Sequence, residues 1–136
     1  MITIEEYVGP HADSPDWTPD RALNAEHLLA VVNPLLEYLT TELGLLPEVN
    51  PNTGSQVSGE TFGGFRPQSC PQGAPNSSHK EGLGVDVYDP QNAMDDVITD
   101  AILTEFGLYR EHPKATHTWC HLTTRSPHSG SRTFLP

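Results

Sequence analysis

The feature that most constrains this chain is the segment Ser77-Ser78-His79-Lys80-Glu81-Gly82-Leu83-Gly84-Val85-Asp86, answered 35 residues later by Trp119-Cys120-His121. Two histidines and an aspartate so placed can supply three ligands to one divalent metal. A three-ligand site keeps one coordination position open for water, the arrangement of a hydrolytic centre rather than a structural one. Two imidazole nitrogens with one carboxylate suit zinc. Affinity order and metal supply leave manganese and nickel as alternatives.

The folding pattern around these residues reads as α+β, a single domain over residues 1–136. Gly84 to Tyr88 alternates as a strand does, with Val85 and Val87 on one face and Asp86 and Tyr88 on the other. Thr116 to Thr124 is a second strand candidate, rich in β-branched and aromatic residues, in which His117, Trp119 and His121 share a face. Leu108-Tyr109-Arg110 is a shorter one, and Thr61–Arg66 a weaker one, because Gly63-Gly64 signals close backbone approach. Thr18-Pro19-Asp20 starts a helix, whose apolar stripe runs Leu28, Val32, Leu35, Leu36, Leu39 and Leu43 to a stop at Gly44. Pro34 is expected to kink or split it near Asn33. Asp89-Pro90 starts a second helix carrying Met94, Val97, Ile98 and Ala101 and ending at Gly107. Residues 1–17 read as an irregular arm and 47–59 as an exposed loop.

Composition bounds the partners. The 136 residues carry a formal net charge of −11, which repels nucleic acid and anionic membranes alike. No stretch approaches the roughly 18–20 apolar residues of a membrane span. The first residues, Met1-Ile2-Thr3-Ile4-Glu5-Glu6, lack a basic region followed by an apolar one, so synthesis in a cytoplasm without a signal peptide is expected. In that compartment Cys70 and Cys120 are expected to be reduced.

The pattern Ser-x-His-x-x-Gly-x-(Ala/Gly)-x-Asp, met by Ser77, His79, Gly82, Gly84 and Asp86, resembles that of the zinc D-alanyl-D-alanine carboxypeptidase family. Its superfamily includes the phage L-alanyl-D-glutamate endolysins and the Hedgehog amino-terminal domain. Trp119-Cys120-His121 resembles the segment bearing that family's third metal ligand, and Phe62-Gly63-Gly64-Phe65-Arg66 its arginine-bearing segment. The tail from His121 through Arg125 and Arg132 is similar to short phage and prophage members. The resemblance spans roughly residues 18–136.

It implies a small antiparallel sheet flanked by helices, with Zn2+ held by His79, Asp86 and His121. Arg66 would stabilise the oxyanion or grip a substrate carboxylate. Ser77 would position substrate, and Trp119 would stand beside it in the cleft. The implied reaction is hydrolysis of a peptide bond in the peptidoglycan stem, by water that zinc activates and a general base deprotonates. Family members usually carry an acid three residues before the final histidine. Here Thr118 stands there, and threonine cannot accept that proton at neutral pH. His117 is the candidate substitute, and Glu81, Asp89, Glu105 and Glu111 are carboxylates that the sequence alone does not place. The other reading of Thr118 is a zinc-stabilised, non-catalytic module that binds cell wall or assembles with other virion proteins in a tail or capsid.

Overall fold

The computed structural model describes residues 1–74 and 76–136. It is an α+β fold built on a four-stranded sheet. The helices are α1 (Ile4–Val8), α2 (Pro19–Thr41), α3 (Ala93–Val97) and α4 (Asp100–Phe106), and the strands β1 (Gly84–Tyr88), β2 (Tyr109–Glu111), β3 (Trp119–Thr123) and β4 (Thr133–Phe134). The sheet order is β1-β3-β2-β4. β3 pairs antiparallel with both β1 and β2, whereas β4 pairs parallel with β2. The sheet is therefore mixed rather than wholly antiparallel. The tail after β3 comes back on the far side of β2 and runs alongside it.

One core joins the helices to the sheet. Ala25, Leu28, Val32, Leu35 and Leu39 of α2 are buried with Val85 and Val87 of β1 and Cys120 and Leu122 of β3. α2 runs unbroken through Pro34, contrary to the expected split. A proline inside a helix costs about 3 kcal/mol. Val32, Leu35, Leu36 and Leu39 on either side of it are all buried, and burying each such side chain is worth about 1.5–3 kcal/mol, so tertiary packing carries the helix across. The helix ends at Thr41, before Leu43, which is 41% exposed.

Residues 1–17 are not an irregular arm. Thr3 and Glu6 form a capping box, each side chain accepting the other's backbone N–H, and the short α1 that follows buries Tyr7 and Val8. Nor is 47–59 an exposed loop throughout. Asn50 is buried and donates to the carbonyls of Val57 and Gly59, and Val57 bridges to Val87 along the outer edge of β1. The second helix is two. Ile98 is extended, and the Thr99 hydroxyl accepts from Ile102 N–H to restart the chain as α4, which ends at Gly107 in the left-handed conformation. Ala101 is consequently exposed and Leu103 takes the core position.

Residues 61–66 do not form a strand, because their hydrogen bonds go to three separate segments. Gly63 O accepts from Asp86 N–H at 2.7 Å, Phe65 N–H donates to Tyr7 O at 3.0 Å, and Arg66 N–H donates to His79 O at 3.2 Å. The close approach anticipated from Gly63-Gly64 is present: a Cβ on Gly64 would collide with the Tyr7 carbonyl.

Candidate metal centre

Three elements deliver the site. Ser77 opens a single 3-10 turn over Ser78–Glu81, its hydroxyl accepting from His79 N–H at 3.3 Å, and Gly82 closes it at φ +74°, a conformation that glycine adopts without strain. This turn carries His79. Asp86 on β1 and His121 on β3 are register partners, so their side chains rise from the same face of the sheet. Val85, Val87, Cys120 and Leu122 point the other way, into the core. The three ligand atoms lie within 4.8 Å of one another, the one such group among the described residues that could hold a metal ion. All three residues are buried, at 3%, 8% and 6% exposure for His79, Asp86 and His121.

The proton inventory of this cluster fits a cation. His79 Nδ1 lies 2.8 Å from the Gly64 carbonyl. A carbonyl only accepts, so Nδ1 bears the hydrogen and the neutral ring's Nε2 is a bare lone pair. That lone pair faces Asp86 Oδ1 at 3.2 Å. Two acceptors so close repel unless a proton or a metal ion stands with them. His121 presents Nδ1 to the same oxygen at 2.8 Å, and its Nε2 lies 3.3 Å from Ser78 Oγ. Each imidazole is thus held from behind by a protein oxygen and directs its other nitrogen at Asp86 Oδ1, as outer partners orient metal-binding histidines. Gly84 makes room for this, since a Cβ there would strike the Ser78 hydroxyl and crowd the His121 ring.

Arg66 completes the charge pattern. Its Nη2 donates to Asp86 Oδ2 at 3.2 Å and its Nε donates to Phe62 O at 2.7 Å. Burial alone would raise the Asp86 carboxyl. The adjoining imidazoles of His79 and His121 outweigh it and hold the group well below the usual carboxylate range. Burial pushes the His79 imidazole below its ordinary value, against the pull of Asp86. Both shifts favour the deprotonated forms that bind metal.

The cluster opens into a cleft of about 410 Å³ that Arg66, Ser77, Glu111, Trp119, Arg125 and Phe134 help to line. A second hollow of about 350 Å³ shares Arg66, Asp86 and Trp119 with it. Ser77 and Trp119 both line the cleft. His117 does not line it. The regular strand begins only at Trp119, so alternation does not extend back to His117, which is exposed together with Thr118. The Thr118 carbonyl instead accepts from Asp89 N–H.

The sequence reading missed Ser78, whose hydroxyl holds His121, and Tyr7, whose hydroxyl donates to Gly84 O at 2.9 Å. Adjacency of Ser78 to His79 was the only available signal for the first. Cys70 and Cys120 are both free and buried, as expected. Cys120 lies on the core face and is no ligand. His11 is half-buried and stacks on Phe62 at 5.3 Å. Among the described residues no helix is long and apolar enough to cross a membrane. No protein family, curated protein or solved structure matches this chain.

Proposed function

We propose that this protein is a zinc-dependent peptidase that hydrolyses peptide bonds in the peptidoglycan stem, as a D,D-carboxypeptidase or an endolysin-like endopeptidase. On this reading it is a short phage or prophage member of the zinc D-alanyl-D-alanine carboxypeptidase family, with the Hedgehog-type fold. The observation that carries the proposal is the convergence of His79, Asp86 and His121, with one nitrogen of each imidazole aimed at the same carboxylate oxygen, at the floor of an open cleft. Three protein ligands facing a cleft leave a position for water or substrate. A zinc ion there would supply Lewis acidity, polarising a carbonyl and acidifying a water.

The chain's own residues would do the rest. Arg66 holds Asp86 Oδ2 and keeps its second terminal nitrogen, Nη1, beside the cleft wall at Gly73. That guanidinium can meet a carboxylate or a developing oxyanion of the substrate. Trp119 walls the cleft on the β3 side and Ser77 flanks it on the turn. A stem peptide carries both the carboxylates and the small side chains that such a cleft admits.

Thr118 favours a second reading, a non-catalytic module in which metal holds the turn against the sheet and the cleft binds cell wall or other virion proteins. The deciding experiment is incubation of the zinc-loaded protein with purified peptidoglycan and synthetic stem peptides. New amine termini or released D-alanine are expected. Retained binding with no cleavage would sink the peptidase and leave the module.

A further inference from the structure

The sheet places a carboxylate where the sequence around residue 118 lacks one. β2 pairs with β3 as Tyr109↔Thr123 and Arg110↔Leu122, and one further step along that register sets Glu111 opposite His121. Asp86 is the partner of His121 on its other side, and Phe134 of β4 is the partner of Glu111. Asp86, His121, Glu111 and Phe134 thus form one row across all four strands. Residues in such a row share a face, with neighbouring Cβ atoms roughly 4.5–5.5 Å apart. The row is independently visible in space: Glu111 lines the same cleft as His79, Asp86 and His121, and the Phe134 ring meets the His121 ring edge-on at 6.4 Å.

Glu111 stands next to the ligand cluster without belonging to it. It enters none of the ion pairs among the described residues, whereas Arg66 is committed to Asp86. It is half-buried. Such an unengaged carboxylate, one row position beyond His121 and on the wall of the same cleft, stands beside the cluster without being one of its ligands. Exposed His117 and Thr118 offer no such reach.

From this juxtaposition we infer that Glu111, supplied by β2, is the proton-transferring group of the site, in place of an acid at position 118. This rests on the hydrolytic reading above. A Glu111 carboxylate oxygen takes one proton from the attacking water as the water oxygen bonds to the scissile carbonyl carbon. It then gives that proton to the departing nitrogen as the C–N bond breaks. One water is consumed; a carboxylic acid and an amine are released, the acid's remaining proton passing to the amine so that they leave as carboxylate and ammonium, and Glu111 ends as it began.

The test compares wild type, Glu111→Gln and Glu111→Asp by metal content, by amine release from stem peptides, and by the visible spectrum of the cobalt-substituted protein against pH. Glu111→Gln is expected to bind one ion with unchanged affinity and lose about 10²–10⁴-fold in turnover, with Glu111→Asp between. Its cobalt spectrum is expected to lose or displace the wild-type pH transition, because a proton acceptor beside the ion is gone. Turnover within a few-fold of wild type in Glu111→Gln, or loss of the metal itself, would overturn the assignment. If wild type cleaves no stem peptide, the peptidase reading fails, and the cobalt spectrum alone decides Glu111. A displaced transition upholds it and superimposable spectra overturn it.

Discussion

Asp86 is the hub of the cluster: two imidazole nitrogens approach Oδ1 and a guanidinium donates to Oδ2. The imidazoles are in turn fixed by Gly64 O and Ser78 Oγ. Removing such an outer partner typically costs 10–100-fold in metal affinity. Ser78→Ala is therefore expected to weaken zinc binding by about that factor without unfolding the protein, measured by competition with a chromophoric chelator; unchanged affinity would mean that the 3.3 Å contact does not orient His121. A pH test follows from His79. Its imidazole is harder to protonate folded than unfolded, so the metal-free protein keeps this contribution above about pH 6.5 and loses it as pH falls towards the depressed folded value. Asp95, buried beside Arg110 on the opposite side of the sheet, works in reverse. Burial raises its carboxyl to about 6, so its contribution is full below the unfolded value and drains as pH rises through 6. Urea unfolding of the metal-free protein from pH 7.5 to 5 is thus expected to show partial cancellation. His79→Asn should flatten the loss on acidification and Asp95→Asn should steepen it; parallel profiles for all three proteins would refute both assignments.

At the scale of elements, α1 shows how support for the site comes from outside the motif. Tyr7 is fully buried, its hydroxyl ties to Gly84 O, and its carbonyl receives Phe65 N–H. Both contacts lie within two residues of a site residue, Asp86 in one case and Arg66 in the other. Tyr7→Phe is expected to destabilise the fold by about 1 kcal/mol, since it removes one buried hydrogen bond and little volume. Denaturant unfolding reads this, and a loss under a few tenths would show the bond to be idle. The signal for α1 was in the sequence: Thr3-Ile4-Glu5-Glu6 has capping-box spacing. Five residues are too few to show a 3.6-residue period, so the scattered apolar positions looked irregular. The same shortness hid the division of α3 from α4, where Thr99 acts as a cap inside an apparently continuous apolar stripe. β1, by contrast, was legible because Val85 and Val87 alternate with Asp86 and both strand ends are marked.

For the molecule as a whole, what could be read early was local in sequence and what could not was set by sheet register. His79 and Asp86 are seven residues apart and belong to one turn–strand unit, so their joint role is visible in the string. Glu111 reaches the site only because β2 lies against β3, and β4 joins β2 in parallel; nothing in the local pattern near Glu111 announces a cleft. That architecture also fixes what a metal ion does for stability. Its ligands come from the 3-10 turn, β1 and β3, and through Gly64 and Tyr7 the turn is linked to α1, so an ion would bind the folded chain and not the unfolded one. At a free concentration 100-fold above Kd this adds about 2.7 kcal/mol, on the order of 10 °C in Tm for a chain of this size. Zinc is expected to raise Tm by that amount and a chelator to reverse it. The net charge of −11 attracts any divalent cation, so magnesium serves as the control, because it prefers oxygen ligands and should leave Tm nearly unmoved. His121→Asn should abolish the zinc response while leaving any magnesium effect intact. Equal shifts with both ions, or an undiminished zinc response in His121→Asn, would assign the stabilisation to surface charge and remove His79, Asp86 and His121 from the role of metal ligands.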